Sequence, residues 1–166
     1  ADTEDFMCIA GDENDVLSRF CLVIDKVNEI SDTPISLIVR ATADNPFIFV
    51  EAANASIHRY FELQEPDYFT FTGLPHGSGV ELLKAESLKL ASKRTTDPYD
   101  REHVGPALYR HQDLFRCVRE ASPAIWYNPE VRTTVDEESD YKRSVHMVKA
   151  LKEKGERCDF NSQDIF

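Results

Sequence analysis

Two aspartates carry the most specific chemical suggestion in this chain of 166 residues. Asp44 follows the apolar run Ile35 to Val39, and Asp136 follows Val131 to Val135. Each would stand at the carboxyl end of a strand, the edge where open α/β sheets take their ligands. If the two strands run parallel in one sheet, both carboxylates share that edge. Carboxylates brought that close repel unless a cation joins them, and hard oxygen ligands favour magnesium or manganese. Each aspartate also has a plainer reading. Asp44 could bond its own backbone in a turn, although Asn45, pushed out of the helical region by Pro46, is better placed to do so. Asp136, in the stretch VDEES, could cap the helix that follows.

Two further stretches hold polar groups suited to a substrate. The segment Gly73 to Gly79, GLPHGSG, contains three of the six glycines and must be a loop, with His76 among residues that let backbone approach a ligand. The segment DPYDREHV places Glu102 and His103, which could bond the hydroxyls of a polar substrate, near a helix start. Its plainer reading is a capped helix with a solvated charged face. No P-loop, GxGxxG or nucleophile elbow occurs.

These residues need elements to position them. Met7 to Ala10 reads as a short strand, opening into the acids Asp12, Glu13 and Asp15, which suit a helix N-terminus. Val16, Phe20, Val23 and Val27 then mark one face of a helix ending near Ile30. The near-continuous apolar run at 35–41 predicts a strand buried on both faces. Val50, Ala53, Ile57 and Tyr60 or Phe61 predict a second helix, stopped by Pro66. The alternation DYFTFT at 67–72 predicts a half-exposed strand, and Val80 to Leu83 a return strand. Ala85 to Lys93 predicts a short helix, and Arg101 to His111 a helix kinked or restarted at Pro106. Phe115 to Val118 reads as an edge strand and Val131 to Val135 as a further strand. A last helix carries Tyr141, Val145, Val148 and Leu151 on one face and stops at Gly155. The order implies one α/β domain over residues 1–157, with a loose polar tail at 158–166.

Composition narrows the partners. Hydrophobic residues make up 42% of the chain, enough for a core, and the formal net charge is −11. That charge argues against nucleic-acid binding, which needs basic surface. A nucleotide substrate remains compatible, because a bound divalent cation supplies positive charge locally. The four cysteines, Cys8, Cys21, Cys117 and Cys158, form no CxxC pair and read as reduced thiols. With no membrane-span-like run and an N-terminus, ADTEDF, unlike a signal peptide, the expectation is a cytoplasmic protein.

The stretches GDENDVLSRF, IVRATADNPFI, LPHGSGVEL, DPYDREHVGPALYRHQDLF and VRTTVDEESDY occur in this order. The series resembles the cytidylyltransferase-like proteins of spore coat polysaccharide biosynthesis, relatives of the synthetases that make CMP-sialic acid and CMP-KDO. It runs from Ile9 to Lys154. The resemblance implies a nucleotide-diphospho-sugar-transferase-like α/β fold with a mostly parallel sheet flanked by helices. It implies transfer of a nucleoside monophosphate from a triphosphate, CTP, to a sugar or sugar acid, with release of pyrophosphate. Asp44 and Asp136 fall on the metal and catalytic aspartates, with Mg2+ or Mn2+ as cofactor. His76, Gly77 and Glu81, with Arg101, Glu102 and His103, fall on the substrate side. A homodimer is also implied, with Asp67 to Leu83 at the contact and Tyr68, Phe69 and Phe71 exposed. The alternative is a non-catalytic homologue serving as a sugar-binding or assembly module. Two departures stand out. The family's basic loop of the type QARMGSxRLPGK is absent, and the part of a family member bearing it would precede Ala1. Gly79 stands where many members carry aspartate. The expected consequence is a sheet with one side left for another segment or chain to cover.

Overall fold

The computed structural model describes residues 6–153 and 161–165. Four strands form its sheet: β1 (Leu37–Arg40), β2 (Tyr68–Thr72), β3 (Glu81–Lys84) and β4 (Cys117–Ala121). Their spatial order is β1-β3-β2-β4. β3 runs antiparallel to both β1 and β2, while β2 and β4 run parallel. The α/β expectation holds, and the mostly parallel pairing is corrected to a mixed sheet. A short loop returns β2 to β3, which forces those two to be antiparallel, because a parallel neighbour needs a crossover.

Alternation along the two inner strands builds two apolar layers. Tyr68 and Leu83 face one side with Leu17, Ile24, Leu88, Val104 and Leu108. Phe69 and Leu82 face the other with Tyr60 and Val80. The first layer is covered by α1 (Val16–Ile30), α3 (Ala85–Arg94) and α5 (Pro106–Tyr109), the second by α2 (Val50–Glu62). Leu82 and Leu83 are fully buried, and burial of each stabilises the sheet by about 1.5–3 kcal/mol.

The helix starts follow from their caps. Asp15 accepts a bond of 2.9 Å from the Ser18 N–H, which satisfies one free donor of α1. Leu17 and Ile24 are its buried positions, and Val23 is exposed, so the face turns one residue from the expected stripe. α4 (Pro98–His103) begins with Asp97 bonding the Tyr99 N–H and ends at Val104, whose φ is +68°. α5 then restarts at Pro106. The break expected there is present, because proline supplies no N–H to continue the ladder.

Several expectations are corrected. Residues 7–10 form no strand, and Met7 is exposed. β1 lies at the sheet edge, and its Val39 is 45% exposed rather than buried. β2 is flanked on both sides, so Tyr68 and Phe69 are core residues at 2% and 0% exposure. Those two aromatics are therefore unavailable as a dimer contact. Residues 131–135 form no strand of the sheet and make only an isolated bridge between Arg132 and His76. α6 (Glu138–Glu153) is the expected last helix. Gly155 and Cys158 lie outside the described residues. Part of the expected loose tail is α7 (Ser162–Ile165), held where the Ser162 N–H bonds Glu51 Oε1 at 2.5 Å.

Candidate functional site

The segments that bear the two aspartates are joined by a backbone bond, not as paired strands. Beyond β1 the chain turns at Thr42, where the Asn45 N–H bonds the Thr42 carbonyl at 3.1 Å and its side-chain amide bonds Thr42 Oγ1 at 2.7 Å. Asn45 thus performs the turn bonding, and Asp44 is left exposed. Its carboxylate makes no hydrogen bond or ion pair among the described residues. The Asp44 carbonyl accepts a bond of 2.8 Å from the Val135 N–H, so Asp136 begins one residue from that contact. The Asp136 carboxylate is engaged by Arg132, four residues back, and by Thr134 Oγ1 at 3.4 Å. The cap of α6 is Asp140, which accepts from the N–H groups of Asp136 and Glu137 at 3.1 and 3.3 Å. Those bonds, with the Arg143 guanidinium, hold the Asp140 carboxyl below its ordinary range.

The loop at 73–79 fastens the two segments together. His76 donates its N–H to the Val131 carbonyl at 2.8 Å and accepts from Thr133 N–H at 2.8 Å. Buried Ser78 and Thr133 share a hydroxyl bond of 3.0 Å. Gly77 has φ +98°, and a Cβ there would lie 2.7 Å from the Thr134 nitrogen and 2.8 Å from Asn45 Oδ1. Only glycine lets the turn bearing Asp44 and the stretch bearing Asp136 close on this loop.

Beside the rim lies a cavity of about 430 Å³. His76, Gly77 and Glu81 line it, together with Arg40, Asn45 and Arg119, among others. Glu81 is held in place by Tyr68 Oη, which donates at 2.6 Å, and by Arg40 Nη1 at 2.5 Å. Burial, followed by the Glu81 charge, raises the Tyr68 phenol well above its ordinary value, so it stays a donor. Arg40 Nε is buried with no hydrogen-bond partner among the described residues. Arg119 sits 5.5 Å over the Tyr109 ring. The lining offers hydroxyls, an amide, an imidazole, a carboxylate and guanidinium groups, which suits a ligand rich in hydroxyls.

Arg40 and Arg119 are charged lining residues that spacing did not single out. Arg40 stands in the same stretch as Asp44, but its pairing with Glu81 across β1 and β3 is a register fact. Arg101, Glu102 and His103 do not line the cavity. Arg101 instead donates to Asp15 Oδ2 at 2.7 Å and to the Ser92 and Thr95 carbonyls. Glu102 is exposed, and the His103 ring packs 4.3 Å from that of Tyr99.

Among the described residues no three acidic, histidine or cysteine side chains gather as a metal cluster. Two carboxylates, Asp44 open and Asp136 engaged by Arg132, stand on adjoining segments, and they are the groups that would hold a magnesium ion. That ion is held by one or two carboxylates and completes its shell with waters and substrate phosphates.

Comparison with known proteins agrees with this architecture. The fold is also found in a cytidylyltransferase of Leptospira borgpetersenii. The two structures superimpose with a TM-score of 0.76 at 21% identity, over 93% of this chain and 61% of that one. The model of the cytidylyltransferase family matches residues 3–147, and the chain belongs to that family. It is 32% identical over 162 residues to the spore coat polysaccharide biosynthesis protein SpsF of Bacillus subtilis, covering 96% of this chain and 63% of SpsF. It is also 29% identical over 139 residues to an uncharacterized protein of Methanocaldococcus jannaschii, covering 84% of this chain and 54% of that protein. The chain thus spans less than two thirds of the length of these relatives. No helix among the described residues is long and apolar enough to cross a membrane.

Proposed function

We propose that this chain carries the metal and acceptor side of a sugar nucleotidyltransferase of cell-surface polysaccharide biosynthesis. It would transfer CMP from CTP to a sugar or sugar acid and release pyrophosphate. The observation that supports this reading is the Val135 to Asp44 backbone bond, which joins the segments bearing the two aspartates beside Asn45, a residue of the polar cavity. Asp44 and Asp136 would hold Mg2+ or Mn2+, and such an ion, when bound, neutralises charge on the phosphates. Glu81, fixed by Tyr68 and Arg40, accepts hydrogen bonds from sugar hydroxyls and orients the ring. Asn45 and His76 add polar contacts on the wall nearest the aspartates. The acceptor oxygen attacks the α-phosphorus in line and pyrophosphate leaves, so positioning and charge supply the catalysis and no covalent enzyme intermediate is needed.

One observation favours a second reading, a sugar-binding or assembly module: the Asp136 carboxylate is already neutralised by Arg132. An assay of pyrophosphate release separates the two. The chain is incubated with CTP, magnesium and a panel of sugars and sugar acids, with ATP, GTP and UTP as controls. Sugar-dependent release with CTP supports the transferase. Sugar binding by calorimetry with no release from any triphosphate overturns it in favour of the binding module.

A further inference from the structure

An apolar groove lies open between α6 and the turn that carries Asp44. Tyr141, Val145, Val148 and Lys152 follow at spacings of four, three and four, which puts them on one face of the helix. Tyr141 is 61% and Val148 39% exposed. Pro46, Phe47 and Val135 supply the other wall, and the groove has a volume of about 470 Å³. That size, and an apolar lining broken by a few polar groups, are the marks of a small-molecule site. Its polar groups are the hydroxyls of Tyr141 and Ser144 and the ammonium groups of Lys149 and Lys152. Among the described residues no acidic side chain lines it, in a chain with 30 Asp and Glu against 19 Lys and Arg. Lys149 and Lys152 make no hydrogen bond or ion pair among the described residues. Lys142 and Arg143 do, each at 2.7 Å, with Glu138 and Asp140, and all four stand outside the groove, as does Glu153.

We propose that this groove binds an elongated amphipathic monoanion, a fatty-acid-like carboxylate. Its head would pair with Lys149 and Lys152, and its chain would lie along Val148 and Val145 toward Tyr141. From Tyr141 to Lys152 the helix rises about 16 Å at 1.5 Å per residue, so the apolar wall is long and the cations stand at one end of it. A neutral ligand would leave both ammonium groups unused, and a cationic one would be repelled by them. An acidic partner helix would find opposite charge at one end of the groove alone. Ala43 and Pro46 flank Asp44 and Asn45, and Val135 donates to the Asp44 carbonyl. An occupant therefore touches both segments that this bond joins, while Asn45 between them lines the polar cavity. The site stands whether or not the chain is a transferase.

Equilibrium dialysis of the whole chain with decanoate tests this, with decanol and decyltrimethylammonium as neutral and cationic controls. The expected result is saturable binding of one decanoate per chain, with decanol weaker on the order of ten-fold and no binding of the cation. The melting temperature should rise with decanoate concentration, because a ligand of the folded state stabilises it. Lys149→Ala combined with Lys152→Ala should lower the decanoate affinity to that of decanol and leave decanol unchanged. Val145→Trp, which fills the groove, should weaken both ligands with unchanged helical circular dichroism. A lack of saturable decanoate binding below its micelle-forming concentration overturns the proposal. So does decanol bound as tightly as decanoate, or decanoate binding that neither variant weakens, since the ligand would then sit elsewhere. Both lysines are exposed, so if Val145→Trp fails to fold the lysine pair decides alone.

Discussion

Asp44 is unusual at the level of the single residue, because its surroundings leave it nothing structural to do. Asn45 closes the turn through Thr42, and the Asp44 backbone carbonyl, not its side chain, meets Val135. The carboxylate is exposed, and the next residue, Asn45, lines the polar cavity. Asp44→Asn should therefore leave the melting temperature nearly unchanged, within the roughly 0.5 kcal/mol typical of surface changes. If the carboxylate holds a magnesium ion, pyrophosphate release should fall on the order of 10²-fold or more, because a neutral amide cannot offset the charge of the ion. Measuring turnover and melting of this variant with and without magnesium checks both halves. Full turnover would return Asp44 to the role of a turn residue.

At the scale of elements, Arg101 shows how a residue in a suggestive motif can belong to the scaffold. Its guanidinium joins the N-terminus of α1, through Asp15, to the C-terminal end of α3, through Ser92 and Thr95. Burial alone would raise the Asp15 carboxyl, but the Arg101 and Ser18 bonds outweigh it and hold that carboxyl below its ordinary value. Arg101→Ala should lower stability by about 2 kcal/mol, the scale of lost hydrogen bonds to charged groups. The Michaelis constant for the sugar should stay unchanged. Urea unfolding and steady-state kinetics on one preparation test this pair of outcomes. A raised Michaelis constant at unchanged stability would place Arg101 in the site after all.

For the molecule as a whole, the titrating groups predict a stability plateau bounded on both sides. Asp15, Glu51, Asp100 and Asp140 all lie below their ordinary values of 3.8 for aspartate and 4.5 for glutamate. At Asp100 burial works the other way, and bonds from Thr95, His111 and Arg110 prevail. A group depressed in the folded state contributes stability that is complete above its unfolded value and lost as pH falls through the folded one. Acid unfolding should therefore begin near pH 4. At the other end, burial pushes the Cys117 thiol from 9.0 to about 11. The unfolded chain ionises first there, so stability should fall as pH rises from 9 toward 11. Relief of the −11 net charge acts only down to the isoelectric point of about 4.9, below which growing positive charge adds to the acid limb. A melting temperature that does not fall as pH drops below about 4 would overturn this account.

The sequence by itself determined what local chemistry can write. The apolar periodicities gave α1, α2, α3 and α6, proline at 106 gave the break before α5, and the glycines around His76 gave the loop that closes on Asn45 and Thr134. The pair Asp44 and Asp136 was singled out because each follows a short apolar run and precedes a helix. The tertiary structure decided everything that depends on which segments become neighbours. Tyr68 and Phe69 read as half-exposed because alternation cannot reveal that β3 and β4 flank β2 on both sides. The stretch Val131 to Val135 has strand composition, yet its buried Thr133 and Thr134 bind the 76–78 loop through hydroxyl and backbone bonds. Arg40 reaches Glu81 only through the register of β1 on β3. Arg101, in a motif suited to substrate, is claimed by Asp15 from a distant part of the chain. Propensity and capping act over a few residues, whereas strand pairing and ion pairing are settled by which distant surfaces exclude water together.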